Sequence, residues 1–377
     1  MRIAVPREAT DERRVALTPQ VVRRLRAAGH AVTVEPGAGE RAGFADDAYR
    51  AEGAEVSASA VGDADLIVVV GPPDRQRVDG FPEGVAVLGF LDPFAATDVV
   101  RGLAERRITS FAMEAVPRTT LAQSMDALSS QASAAGYHAV LLAAVATPRI
   151  FPMMITAAGT VPPVKLLVLG AGVAGLQAIA TARRLGAVVS AYDIRPEVKE
   201  QIESLGARFV TGPVDQSAVA ASGYATEVAD DTERRQQGAL ADVVADADVV
   251  ITTAQIPGVP APLLVSREMV ERMRPGSVIV DVAAPTGGNC ELTRPGDEVS
   301  HAGVVVLGPI DLPGRVAVDA SEMYARNLVA FIERLTDGEG GLTVALDDEI
   351  IGASCITHAG SIAHPEARRA VGLETTP

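Results

Sequence analysis

Residues 165–193 read KLLVLGAGVAGLQAIATARRLGAVVSAYD and leave the backbone few choices. An apolar run of strand length, Lys165–Leu169, enters a turn built on Gly170, Gly172 and Gly175. An alanine-rich helical stretch, Leu176–Leu185, follows, and a second apolar run, Ala187–Ala191, ends at Asp193. This is the glycine fingerprint of a dinucleotide-binding βαβ unit, with strand, helix and second strand in their proper order. Gly170 permits a tight turn, Gly172 lets the backbone approach a pyrophosphate, and Gly175 lets helix and strand pack closely. The helix start presents free N–H groups and a positive dipole end to phosphates. Asp193 lies about 20 residues on, where an acid accepts hydrogen bonds from the adenosine ribose. A carboxylate there repels a 2′-phosphate, so NAD(H) is favoured over NADP(H). Arg195, two residues later, pulls the other way, because an arginine can hold a 2′-phosphate.

A chain of 377 residues has room for two domains, each with its own core. Aromatic residues are only 3% and Trp is missing, so those cores must be built from Val, Leu, Ile and Ala. A formal charge of −15 argues against nucleic acid or an anionic membrane surface as the main partner. Cys290 and Cys355 lie far apart without metal-ligand spacing and read as buried thiols of a reducing compartment. No run reads as a membrane span: the longest candidate, 166–182, is interrupted by the fingerprint glycines.

Taken in order, the first third alternates short apolar runs with helical stretches. Strands are expected at Arg2–Val5, Ala31–Val34, Asp65–Val70, Val85–Phe90 and Ile108–Met113, and helices from Thr18-Pro19 to Ala28, at Asp46–Ala51 and at Thr97–Glu105. Such alternation at short spacing implies a parallel, doubly wound sheet. The Gly-rich Pro36–Gly43 has the wrong spacing for a second fingerprint. A polar segment, Pro117–Gln131, breaks the rhythm and runs into a long helix expected at Met125–Val145. The proline-bearing Thr147–Lys165 reads as the entry to the second domain. Beyond Asp193, strands are expected at Arg208–Val210, Asp248–Thr253, Val278–Val282 and Val304–Leu307. Thr211–Gly238 is long, polar and acidic enough to be a functional flap or an insertion. A second long helix is expected at Val316–Leu335, and then a hairpin from Thr343–Leu346 and Glu349–Ile351. The expected fold is α/β, with two Rossmann-like doubly wound parallel-sheet domains joined by long helices. The first is residues 1–131 completed by 319–377, and the second, residues 132–318, binds the nucleotide.

The segments EATDERRVALTP, AQSMDALSSQASAAGY, FPMMITAAGTVPP, VLGAGVAGLQAIATARRLGA, TTAQIPG and PGSVIVDVAAPTGGNCELT together resemble the NAD(H)-binding component of proton-translocating NAD(P) transhydrogenases. Alanine dehydrogenases share RRVALTP, IPG and PGSVIVDVA, whereas AQSMDALSSQ and MMITAAGTVPP look like transhydrogenase. Where alanine dehydrogenases carry a substrate-binding lysine this chain has Gly71. It has Asp92 in place of their catalytic histidine and Pro285 in place of their catalytic aspartate. Reductive amination needs a proton donor. None of His30, His138, His301, His358 and His364 falls at that position, and all five read as surface or turn residues. Arg14, a candidate cation for a substrate carboxylate, remains. Hydride transfer between two nicotinamides needs positioning and exclusion of water, with no protein acid or base.

The resemblance implies that Arg118, Gln123, Asp126 and Ser129 serve catalysis from a loop over the nicotinamide, along with cofactor contacts at Thr119, Thr120, Leu121, Ser124 and Met125. Arg118 and Ser129 would hold the carboxamide or ribose, Asp126 would orient Arg118, and Gln123 would bridge towards the partner's nucleotide. A solvated Arg118 beside a helix-capping Asp126 is the plainer reading of the residues alone. A mobile flap over NAD(H) is implied at Gly223, Tyr224 and Gln236, while Val173, Ile194, Arg195 and Gln255 would lie beside the nucleotide. The cofactors implied are NAD(H) on this chain and NADP(H) on a partner, and no metal. The implied partners are an NADP(H)-binding beta subunit, membrane-spanning subunits that translocate protons, and a second copy of the chain. The chain would then sit in the cytoplasm, peripherally on the inner face of the cell membrane, and be inactive alone. An alanine dehydrogenase-like amino-acid dehydrogenase and a nucleotide-sensing module are the alternatives.

Overall fold

The computed structural model describes residues 1–9, 11–211, 230–255 and 259–373, with the backbone alone for 230–237. The chain forms two compact units, one of residues 1–131 and 313–377, the other of residues 132–312.

In the first unit, the strands Glu55–Val56, Ala31–Val34, Arg2–Val5, Leu66–Val68, Ala86–Gly89 and Thr109–Ala112 lie side by side in that order, all parallel. Counted along the chain this is order 3-2-1-4-5-6, that of a doubly wound dinucleotide-binding sheet. Ile3 and Val5 face one apolar cluster with Leu66 and Val68, and Ala4 and Ile67 face the other. A strand buried on both faces must be apolar throughout, which is why these runs do not alternate. Cys355–His358 adds an antiparallel edge beside Thr109–Ala112, and Ser361–Ile362 pairs with it in turn.

The second unit repeats the order: Arg208–Phe209, Val188–Tyr192, Lys165–Leu169, Val249–Thr252, Val278–Asp281 and Val304–Leu307, parallel throughout. Glu298–His301 closes it antiparallel. Both sheets are thus mainly parallel and doubly wound, as expected, each with an antiparallel edge added. The edge strands are short and polar, so hydropathy did not mark them.

Other expectations need correction. The helix expected from Met125 is a 3-10 turn, Thr120–Met125, followed by the helix Ala127–Ala146. Asp126 leaves the helical region, at ψ 80°, and its carboxylate accepts from Ser129 N at 2.8 Å, so it caps the helix. The expected strand Glu349–Ile351 is the start of a helix, Glu349–Ser354, because Asp348 accepts from the N–H groups of Ile350 and Ile351. Within Thr147–Lys165 lies an exposed hairpin, Met154–Thr156 with Gly159–Val161. The helix Asp230–Asp246 begins inside the long polar segment. Thr18 stands at the start of the helix Pro19–Ala27 without a side-chain cap bond. His30 is buried, not superficial. The two cysteines are buried and free.

Candidate nucleotide site and a polar loop of the first unit

In the second sheet the strand order reverses between Lys165–Leu169 and Val249–Thr252, and ligands of such sheets bind beyond the strand ends at that point. Each fingerprint glycine occupies a different environment. Gly170 has φ +95°, a conformation that favours glycine, and a Cβ there would stand 2.9 Å from Ala254 N. At Gly175 a Cβ would meet Gly170 O at 2.0 Å, which is how closely the helix Val173–Arg184 crosses the strand end. At Gly172 a Cβ would meet nothing within 4 Å. Gly172 precedes the first residue of the helix, Val173, where N–H groups have no intrahelical acceptor. The three positions form a cradle that is rigid at Gly170 and Gly175 and open at Gly172, as a pyrophosphate requires.

The opposite wall is Thr253–Gln255. Thr253 Oγ1 donates to Gly170 O at 2.9 Å, and Thr253 N donates to Leu169 O at 2.8 Å. A buried network holds this wall from behind. Asn289 Oδ1 accepts from Ala254 N at 3.0 Å, while its Nδ2 donates to Ala254 O and Pro262 O at 2.8 Å each. Asp281, at the end of its strand and fully buried, accepts from the N–H groups of Ala283, Asn289 and Cys290 and from the hydroxyls of Thr252 and Thr293. Five donors around one carboxylate offset the cost of burying it. Sequence reading passed over both residues. Gln255 is exposed, with its amide 3.4 Å from Val282 O and from Thr286 Oγ1.

Asp193 follows the strand Val188–Tyr192 and is almost wholly buried. It accepts from Ala171 N at 2.7 Å, which ties it to the glycine turn. Arg195 packs against it in an ion pair of 2.9 Å, and this pairing raises the guanidinium's pKa further. Ile194 is half-buried.

In the first unit, Arg118, Asp126 and Ser129 come together. Arg118 Nη2 donates to Ser129 Oγ at 2.9 Å, Ser129 Oγ donates to Asp126 Oδ2 at 2.6 Å, and the Arg118–Asp126 pair stands at 3.6 Å. Asp126 therefore caps the helix and also pairs with the arginine. Asn327 on the helix Ala317–Arg334 donates to Ser124 O at 2.8 Å and accepts from Ser130 Oγ at 2.8 Å, fixing the loop from beneath. Thr120, Gln123 and Ser124 are exposed, and Leu121 is 70% exposed despite its apolar side chain. Thr119 Oγ1 is a buried hydroxyl without a hydrogen-bond partner. Met125 is packed in the core of this unit, so any contact with a cofactor would fall to its backbone. Gly223 and Tyr224 lie outside the described residues, as does the side chain of Gln236.

The positions at which alanine dehydrogenases do their chemistry are taken by structure here. Arg14 is bound through two nitrogens to Glu12, at 2.7 and 2.9 Å, and through Nη1 to Gln131, at 2.7 Å. Gly71 and Val70 donate backbone N–H groups to Glu8, and Asp92 and Leu91 donate theirs to Glu114. Burial pushes each of these two carboxyls up to about 7.

Residues 4–135 match the family model described as alanine dehydrogenase/PNT, N-terminal domain, and residues 139–365 match the corresponding C-terminal domain. The chain is 46% identical to the first part of the NAD(P) transhydrogenase alpha subunit of Rhodospirillum rubrum, over 97% of its own length and 98% of the relative's. Against the protein of the same name from Rickettsia prowazekii, identity is 44%, over 96% and 95% of the two lengths. Alanine dehydrogenase of Bacillus subtilis is 29% identical over 100% and 96%. Among solved structures, the transhydrogenase from Sinorhizobium meliloti superimposes with a TM-score of 0.86 at 43% identity, covering 97% of this chain and 99% of that one. An L-alanine dehydrogenase superimposes with 0.80 at 29%, covering 98% and 99%.

Proposed function

The chain belongs to the alanine dehydrogenase/PNT family, and since its identity is 46% to a transhydrogenase alpha subunit against 29% to an alanine dehydrogenase, we infer that it is the NAD(H)-binding alpha component of an NAD(P) transhydrogenase. The observation that carries this reading is the glycine cradle, open at Gly172 and closed at Gly170 and Gly175, at the point where the strand order reverses. Gly172 and the first turn of Val173–Arg184 would receive the pyrophosphate, and Asp193 the adenosine ribose. Arg118, held by Ser129 and Asp126, would orient the nicotinamide end, and exposed Gln123 would reach towards the partner's nucleotide. The bound nicotinamide supplies the hydride. The chain's own work is to align it and exclude water, and no side chain need transfer a proton.

The acceptor would be NADP(H) on a beta subunit, with membrane-spanning subunits translocating protons and a second copy of this chain completing a homodimer. No helix among the described residues is long and apolar enough to cross a membrane, so attachment to the inner face of the cell membrane would run through those partners. The test is reconstitution. The purified chain should bind NADH, transfer nothing alone, and transfer hydride to an NAD analogue once an NADP(H)-loaded partner domain is added. Rapid NADH-to-NADP transfer by the isolated chain would refute the reading, and ammonia-dependent NADH oxidation with pyruvate would replace it with an amino-acid dehydrogenase. Sedimentation would test the homodimer separately.

A further inference from the structure

The Asp193 carboxylate is already held by four donors. Its Oδ1 accepts from Arg195 N at 2.9 Å and Arg195 Nε at 3.0 Å. Its Oδ2 accepts from Ala171 N at 2.7 Å and Arg195 Nη2 at 2.9 Å. An ionised carboxylate offers about four lone-pair sites, and four donors occupy them. Two of those donors are backbone N–H groups, and the one at Ala171 belongs to the glycine turn itself. The other two belong to the Arg195 side chain. A ribose hydroxyl that approaches Asp193 therefore competes with the Arg195 guanidinium for it.

We propose that Arg195 is a latch on the ribose acceptor and a determinant of selectivity between NAD(H) and NADP(H). The proposal rests on the reading of this unit as an NAD(H) site. Its physical content is a competition. The latch lowers affinity for NADH, because two charge-assisted hydrogen bonds must be exchanged for those of a neutral hydroxyl. It also weakens the rejection of NADPH, because a guanidinium beside Asp193 neutralises the charge that repels a 2′-phosphate and is itself a phosphate ligand once released. Arg195 thus acts against the carboxylate it holds. A glycine fingerprint ending in an acid overstates selectivity when the next-but-one residue can cover that acid.

Arg195→Ala separates the latch from an ordinary nucleotide contact. NADH and NADPH are titrated by nicotinamide fluorescence, and ADP and 2′,5′-ADP, which carry the adenosine end alone, by calorimetry. With the latch removed, NADH and ADP should bind about three- to tenfold more tightly and NADPH and 2′,5′-ADP about tenfold more weakly, as expected from exchanging one or two charge-assisted hydrogen bonds. Arg195→Lys keeps the charge without the planar fork and should fall between wild type and Arg195→Ala in the ratio of the two affinities. It also serves if Arg195→Ala does not fold. A variant that binds all four ligands more weakly, or whose NADPH-to-NADH ratio is unchanged, overturns the latch. Failure of the wild-type chain to bind NADH and ADP at all would sink the NAD(H) reading instead, so the two failures are distinguishable.

Discussion

Gly172→Ala isolates the cradle's function from its folding. Gly172 has φ −73° and ψ −168°, backbone that any residue adopts, and a Cβ there would touch nothing within 4 Å. The change should leave the fold intact, since the gain of about 0.4–1 kcal/mol from restricting the unfolded chain is offset by alanine being a poorer N-cap than glycine. The same methyl group would project into the space a pyrophosphate must enter. Displacing the phosphates by a methyl radius should cost one or two hydrogen bonds to a charged group, each worth about 1.5–3 kcal/mol. A loss of about 3 kcal/mol is about a hundredfold in Kd. Gly175→Ala is the contrast. Its Cβ would lie 2.0 Å from Gly170 O and 2.9 Å from Gly170 C, both backbone atoms, so helix and strand must separate. Overpacking of that kind costs about 1–3 kcal/mol, or about 2–4 °C of Tm per kcal/mol in a domain of this size. Fluorescence titration with NADH and a thermal melt read the two effects apart. Wild-type affinity in Gly172→Ala with an unchanged melt would refute the assignment of the cradle to the pyrophosphate.

Arg118→Ala and Gln123→Ala should slow hydride transfer in a reconstituted complex about tenfold or more while leaving NADH binding nearly unchanged, because they align a ring and add little to total affinity. Wild-type transfer rates in both would remove the loop from the mechanism. Asn289→Ala strips hydrogen bonds from Ala254 and Pro262. It should cost about 1–3 kcal/mol of stability and weaken NADH binding, and equal NADH affinity in the variant would show that the Thr253–Gln255 wall does not touch the nucleotide. Glu8 and Glu114 have folded pKa values raised from 4.5 to about 7. The native state therefore holds protons that the unfolded chain releases between those values. The associated stability is fully present below about pH 4.5 and is lost as pH rises through 7, each tenfold difference in proton affinity between the two states being worth about 1.4 kcal/mol. Glu114→Gln should flatten the fall in Tm between about pH 5.5 and 8, and a slope equal to wild type would contradict the assignment.

What the sequence made legible is what is encoded locally. Gly170, Gly172 and Gly175 are separated by spacings that only a strand–turn–helix satisfies, and the long apolar runs are strands because both faces are covered. The break at Asp126 and the helix after Asp348 were hidden because one side-chain cap outweighs propensity over a few residues. The edge strands Glu298–His301 and Cys355–His358 lacked a hydrophobic signature. Asn289, Glu8 and Glu114 were invisible for another reason. Asn289 holds Ala254 from 35 residues away, and Glu8 holds Val70 from 62. No pattern in a single sequence records such pairings. Arg195 was noticed, but its commitment to Asp193 depends on side-chain geometry that spacing does not fix.

The two sheets share the strand order 3-2-1-4-5-6, so the fold alone offers two places for a nucleotide. Their first strands end differently. Lys165–Leu169 runs into Gly170 and then a twelve-residue helix that starts after Gly172, where a Cβ would meet nothing within 4 Å. Arg2–Val5 runs into Pro6, which has no N–H, and then into Glu8. The carboxylate of Glu8 takes the N–H of Val70 at 2.7 Å and that of Gly71 at 3.5 Å, at the end of the neighbouring strand Leu66–Val68. These two strand-end donors are filled from within, and above about pH 7 the acid filling them is itself an anion. A phosphate entering there would exchange satisfied hydrogen bonds for charge repulsion. On the proposed reading, Glu8 as much as topology would limit the chain to one dinucleotide, and a hydride exchanged between two dinucleotides would need a second protein to carry the other.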